Sequence, residues 1–218
     1  MYNQGQQLIT KRGMHMLVKV SDYLKIHWAT IGLTIVSVIA YIFVAHYVGM
    51  FDGEDAAYGS IGASFQVPLN HHYLSWFTAQ FVHMSWGHLL GNMILLLTFG
   101  AIFESLLSPL VLAYYFVIVN VIAIAISSYI YPNFALAGSS GAIQSIITVV
   151  VMILLVDKFK WHSFEINNSV FWLVVVIGLI LITFGNLHTG GNVAVWTHVI
   201  GILIGVLFGG FVISQNND

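Results

Sequence analysis

Six stretches of this chain are apolar for about the length that a helix needs to cross a bilayer, roughly 20 residues at a rise of about 1.5 Å each. They fall at 26–50, 86–104, 109–131, 139–156, 169–186 and 193–214. Of 218 residues only 6% are charged and 59% are hydrophobic, whereas a soluble domain carries roughly 25% charged residues. A water-soluble globule is excluded, and the expected fold is all-α: a compact bundle of six transmembrane helices. A net charge of -2 supplies no basic footprint for nucleic acid. The lack of any cysteine removes disulfides, iron-sulfur clusters and thiolate metal sites.

Orientation follows from the basic residues. Lys11, Arg12, Lys19 and Lys25 precede the first run, and Lys158 and Lys160 lie between the fourth and fifth. With both termini cytoplasmic all of them face inside, and Asp52, Glu54 and Asp55 face outside. The first run is too long for a signal peptide and lacks a small-x-small cleavage pattern, so it stays as an anchor. The organisation expected is a tail over 1–25, a membrane domain over 26–214 and a short cytoplasmic tail over 215–218. Residues 14–25 suit a short interfacial helix or a disordered tail equally. The stretch from Phe51 to Ser85 reads as a structured outer loop, with Trp76, Phe77, Phe81 and Trp86 suited to the headgroup region. There is no inverted repeat of the transporter kind and no low-complexity segment.

Polar residues inside apolar helices tend to mark pathways or active sites. His88 and Asn92 lie four apart on one face of the second run; Gly138-Ser139-Ser140-Gly141 opens the fourth; His198 precedes Gly201, Gly205 and Gly209 in the sixth. Counted from the inner end of each helix, Ser140, His198 and His88 all sit about 25 Å up. Asn92 is one turn lower. The chemistry open to this layer is nucleophilic: imidazole takes the proton of a serine hydroxyl. Ser140 is the candidate nucleophile and His198 the base, while Asn92, His88 and the Ser140 N–H are candidate oxyanion donors. No carboxylate lies at this depth, so the expected site is a Ser-His dyad. Small residues at Gly201, Gly205 and Gly209, and at Gly141 and Ser145, let two helices approach closely and so bring His198 to Ser140.

Each feature alone has a plain packing role: the Gly-x-Ser-Gly tetrad, Asn92 as glue between helices, His198 as a bridging hydrogen-bonder. Their shared depth and order favour chemistry. A metal site built on His71, His72, His83 and His188 is the rival, but the spacing is poor and no H-E-x-x-H occurs. His83 and His88, five apart, are expected on different helix faces. An aspartyl protease would need two carboxylates in the spans. Glu104 ends the second run, where a structural role is expected, and His46 reads as interfacial.

These residues resemble the rhomboid intramembrane serine proteases. The match consists of His83, His88 and Asn92 in H-x4-H-x3-N, of Gly138 to Gly141 in G-x-S-G, and of His198, Gly201 and Gly205 in H-x2-G-x3-G. Glu104 also falls where the family commonly has a glutamate. The resemblance covers 26–214 and implies a rhomboid-like bundle with a cavity opening outward. It implies Ser140 as nucleophile, His198 as base, and His88, Asn92 and the Ser140 amide holding the oxyanion. A mobile fifth helix and the loop from His188 to Asn192 would admit substrate. Two positions depart from the family: Ser75 stands about where an arginine is frequent, and Gln144 replaces a tyrosine that often stacks on the base histidine.

The expected activity is that of a serine endopeptidase cutting in or near the transmembrane segment of single-span membrane proteins, through an acyl-enzyme. Helix-breaking residues near the cut are expected, because helical carbonyls are already hydrogen-bonded. No metal or organic cofactor is implied. The expected setting is a bacterial plasma membrane, with the lipid bilayer and single-span substrates as partners and the site facing outward. The alternative is a catalytically silent relative that binds transmembrane helices in quality control; a channel or transporter stands third.

Overall fold

The computed structural model describes residues 27–47, 73–130, 136–156, 168–184 and 192–215. Among the described residues seven helices form: α1 (Trp28–Tyr47), the short α2 (Tyr73–Thr78), α3 (Trp86–Leu106), α4 (Pro109–Ile130), α5 (Ser140–Val156), α6 (Asn168–Phe184) and α7 (Asn192–Gln215). The six apolar runs all become helices, with ends moved by a few residues. Four of them, α1, α3, α4 and α7, are long and apolar enough to span a membrane; α5 and α6 are apolar but shorter. The interfacial segment expected at 14–25, the basic residues, Asp52, Glu54, Asp55 and the loop from 185 to 191 lie outside the described residues.

Helix ends follow local chemistry. Ser85 caps α3 by accepting the His88 N–H at 3.1 Å. At the next start, Ser108 accepts the Val111 N–H at 3.2 Å and Pro109 supplies a preset first turn. The π-helical turn Leu96–Gly100 interrupts α3, and Gly100 there lets α1 come in close: a Cβ on it would sit 3.4 Å from Thr30 Oγ1.

The core is helix α5 itself. Every residue from Gly141 to Val151 is buried, as expected of a helix apolar on all sides and covered by neighbours. Helices α3, α4, α6 and α7 pack around it, and α1 lies against α3 and α4. These outer helices leave large apolar side chains uncovered, such as Phe43 of α1, Ile118 of α4, Leu173 of α6 and Leu207 of α7. Lipid tails are as apolar as leucine, so such a face suits a bilayer. Before α3 and at its first residue, Phe77 and Trp86 are exposed. Trp76 and Phe81 instead turn partly inward, onto Tyr129 with ring centres 6.2 Å apart and onto Phe116 at 6.4 Å.

Glu104 ties the second span to the first. Its buried carboxylate accepts the Ala29 N–H at 3.2 Å, the Thr30 N–H at 2.9 Å and the Thr30 hydroxyl at 2.6 Å. Those N–H groups belong to the first turn of α1, which has no partner for them within the helix and carries a partial positive charge. Glu104→Ala strips all three donors of their acceptor and is expected to lower unfolding free energy by about 2–4 kcal/mol, against about 1 for Thr30→Ala, which loses the hydroxyl alone. Thermal unfolding of both variants in one detergent measures this. Equal melting temperatures for Glu104→Ala and wild type would remove Glu104 from the account of how α1 is held.

Candidate active site

The turn before α5 is built around Gly138, whose φ of +105° an L side chain rarely adopts. Its N–H donates to the Ala79 carbonyl at 2.8 Å, in the 3₁₀ turn Ala79–Phe81 that follows α2. Its carbonyl accepts from Asn120 Nδ2 of α4 at 3.0 Å. Space forbids a side chain here as well: a Cβ on Gly138 would lie 2.8 Å from His88 Cε1, 2.9 Å from His88 Nε2 and 3.4 Å from Asn92 Nδ2. The first turns of α3 thus deliver the His88 ring and the Asn92 amide to the backbone two residues before Ser140. Asn92 is buried and its Nδ2 has no hydrogen-bond partner. Ser140, in the first turn of α5, is half-buried beside the fully buried Ser139.

Helices α5 and α7 run parallel in close contact. A Cβ on Gly201 would overlap the Gly141 carbonyl oxygen and lie 2.9 Å from its carbon; one on Gly205 would lie 2.8 Å from the Ser145 carbonyl oxygen; one on Gly209 would meet Met152 Sδ at 3.1 Å. Partner numbers rise together along both chains, which fixes the parallel sense. Gly141 is hemmed in too, a Cβ there lying 2.9 Å from Thr197 Cγ2. His198 stands three residues before Gly201 and is buried, while the adjacent Thr197 donates to Ser127 Oγ of α4 at 2.9 Å. His198 and His88 are near enough to interact electrostatically. Ser140, His198, His88, Asn92, Gly138, Gly141 and Gly201 therefore gather at one end of the bundle, with Gly205 one turn further along α7.

His83 is placed differently from expectation. It precedes α3, so helical spacing does not apply to it, and its ring meets that of His88 edge-on with centroids 5.1 Å apart. It is fully buried; neither ring nitrogen is in good hydrogen-bond geometry, but the Phe81 backbone lies close enough to favour its protonated form. Burial, and then the nearby His88, hold its pKa well below the ordinary imidazole value, at about 3. Among the described residues no three metal-ligating side chains come together, and His71, His72 and His188 lie outside those residues.

One residue is added to the set found in the sequence, and a second named there, Gln144, gains its contacts. Asn120 is a lone amide within the apolar α4, legible by the same rule that singled out Asn92. Gln144, one turn after Ser140, donates to the Leu181 carbonyl of α6 at 3.3 Å, and its buried Oε1 has no partner.

A family model described as Rhomboid domain matches residues 70–215. A search of curated proteins returned no significant match.

The contact between α5 and α7 makes a steric prediction. Gly201→Leu drives a side chain into the Gly141 carbonyl and should force the helices apart, where about 1 Å of misplacement can cost two orders of magnitude in rate. Ile202→Leu, off the contact, should be mild, since swaps that conserve volume are tolerated. Cleavage rate and melting temperature of both variants decide; full activity in a folded Gly201→Leu protein would sever this contact from the site. A second expectation concerns acid. The unfolded chain protonates His83 near its ordinary value of 6.5 and the folded chain only near 3, so below about pH 6.5 the unfolded state binds more protons and stability falls as pH drops. His83→Phe should flatten part of that loss between about pH 7 and 5, and an unchanged slope would assign the acid sensitivity elsewhere.

Proposed function

The chain belongs to the rhomboid family, and from that premise we propose that it is a serine endopeptidase that cuts peptide bonds in or near transmembrane segments of other membrane proteins. The family and its apolar helices make it an integral membrane protein. The observation that carries the reading is the convergence on Gly138. A buried amide donor without a partner, Asn92 Nδ2, and the His88 ring meet the backbone beside Ser140, while Gly201 holds the helix of His198 against the same turn. A buried polar atom left unbonded costs about 1–3 kcal/mol, which makes sense where its partner is formed only during a reaction.

In the proposed reaction His198 takes the Ser140 hydroxyl proton as Oγ attacks the scissile carbonyl carbon. The negative charge that develops on the carbonyl oxygen is met by Asn92, His88 and the Ser140 N–H. Collapse breaks the C–N bond, and His198 gives its proton to the leaving amine. Water, deprotonated by His198 in turn, then frees the acyl group from Ser140. Glu104 is the one carboxylate among the described residues, and it is engaged with α1, which supports a base that works in a dyad. The proposed topology has both termini cytoplasmic and the site opening outward, as the basic residues indicate.

A serine-directed fluorophosphonate in detergent provides the test. Labelling should be lost in Ser140→Ala and nearly lost in His198→Ala, while Asn92→Ala should slow peptide cleavage by about 10- to 1,000-fold, as for one lost oxyanion donor. Equal labelling of wild type and Ser140→Ala would defeat the nucleophile assignment. A wild type that binds single-span proteins without labelling or cleavage would favour the catalytically silent alternative.

A further inference from the structure

Asn120 is fully buried in the middle of α4 and bonds the backbone on both sides of Ser139 and Ser140. Its Nδ2 donates to the Gly138 carbonyl at 3.0 Å and its Oδ1 accepts the Ala142 N–H at 3.0 Å. A neutral amide can donate and accept at once, and here one amide closes a bridge over the segment that carries the nucleophile.

The first N–H groups of any helix lack partners within it. In α5 the ladder begins where the Ile143 N–H returns to the Ser139 carbonyl at 3.0 Å, so Ser140, Gly141 and Ala142 are the unserved donors. Asn120 engages Ala142 alone. The donors it does not engage are those of Ser140 and Gly141, at the point where an oxyanion would form. The other half of the bridge acts on Gly138, which, lacking a Cβ, can take up other backbone angles unless something holds it. Ala79 holds one side and Asn120 the other.

We propose that Asn120 is a positioning residue for Ser140: by clasping Gly138 and Ala142 together it sets the direction of the Ser140 hydroxyl and N–H relative to His88, Asn92 and His198. The inference rests on the assignment of Ser140 as nucleophile. Without the amide, the Gly138 carbonyl and the Ala142 N–H lose their partner in a water-poor interior, and the turn regains the freedom to rotate. Asn120 touches no reacting atom and acts through the backbone.

The experiment uses the full chain in detergent, with peptide cleavage resolved into kcat and KM and fluorophosphonate labelling rates measured in parallel. Asn120→Ala should lower kcat by about 10- to 100-fold at nearly unchanged KM, with labelling slowed in proportion, as expected for a misplaced nucleophile. Asn120→Asp separates positioning from packing. A protonated carboxyl can donate to Gly138 and accept from Ala142 as the amide does, whereas a carboxylate can only accept, and burial favours the neutral form. The rate of Asn120→Asp relative to wild type should therefore rise as pH falls. Thr30→Ala is the control for bundle stability: it breaks a buried bond to Glu104 away from the turn that bears Ser140 and should lower the melting temperature while leaving kcat within about twofold of wild type. Wild-type kcat in Asn120→Ala, an equal loss in Thr30→Ala, or a relative rate of Asn120→Asp that is flat with pH would each overturn the proposal. Should Asn120→Ala not fold, the pH ratio of Asn120→Asp decides. An unlabelled wild type would overturn the nucleophile assignment and this inference with it, whereas a labelled wild type with unaffected Asn120 variants would overturn the inference alone.

Discussion

The carbonyl oxygen of Gly141 occupies the space that a side chain on Gly201 would need. Around that contact the rest of the molecule is arranged. Lipid offers no hydrophobic gain for bringing two apolar helices together, so association rests on van der Waals fit and on polar groups, and small residues allow the closest fit. Backbone against backbone is also the stiffest contact available, since no rotamer can absorb an error. The proposed dyad, whose hydrogen bond would span about 2.6–3.2 Å, needs that accuracy. The same ladder extends to Gly205 on Ser145 and loosens at Gly209 on the flexible Met152. It is therefore tightest at the end that carries Ser140 and His198.

A second regularity lies in where buried polar groups find partners. Away from the site Glu104 is paired with α1 and Tyr115 with Ser145 at 2.5 Å. Around the turn bearing Ser140 several are not, namely Asn92 Nδ2, Ser139 Oγ, Gln144 Oε1 and both ring nitrogens of His83. Polar residues that serve only as glue between helices would show the opposite pattern, because an unpaired polar atom in a dry interior weakens the fold. This contrast distinguishes Asn92 from Asn120. Both are buried amides on apolar helices, yet one has both ends bonded and the other keeps a donor in reserve.

Much of this was legible in the sequence. Length and apolarity located the helices, and residues of one polar class at matched depth located Ser140, His198, His88 and Asn92. Spacing at i, i+4 and i, i+8 marked the glycine face of α7. What escaped were relations that no period carries. Asn120 is as conspicuous as Asn92 in an apolar run, but its value lies in two bonds to backbone that is distant in sequence. The partner of Glu104 is 74 residues away. His83 was assigned a helical phase although α3 begins only at Trp86, and a five-residue spacing says nothing once one residue sits on irregular backbone. Trp76 and Phe81 read as interfacial by type, and their contacts with Tyr129 and Phe116 of α4 join residues distant in sequence.

The two neighbours of α5 nearest the site are held by different kinds of contact, and the difference bears on how one bundle combines accuracy with access. Helix α7 meets α5 through main-chain atoms at Gly141 and Ser145. Helix α6 meets it through side chains: a Cβ on Gly178 would run into Val151 Cγ2 at 2.5 Å, and Gln144 reaches the Leu181 carbonyl with a long bond of 3.3 Å. Side chains change rotamer at little cost, and a single neutral hydrogen bond is worth only about 1 kcal/mol net. Gln144 stands where the family often has a tyrosine, so here a small amide tie to α6 takes a position otherwise given to an aromatic ring. A displacement of α6 relative to α5 costs rotamer changes and one weak bond, whereas a displacement of α7 breaks a fit between backbones. A shift on the α6 side is thus the cheaper of the two, and it leaves the contact between α7 and α5 untouched.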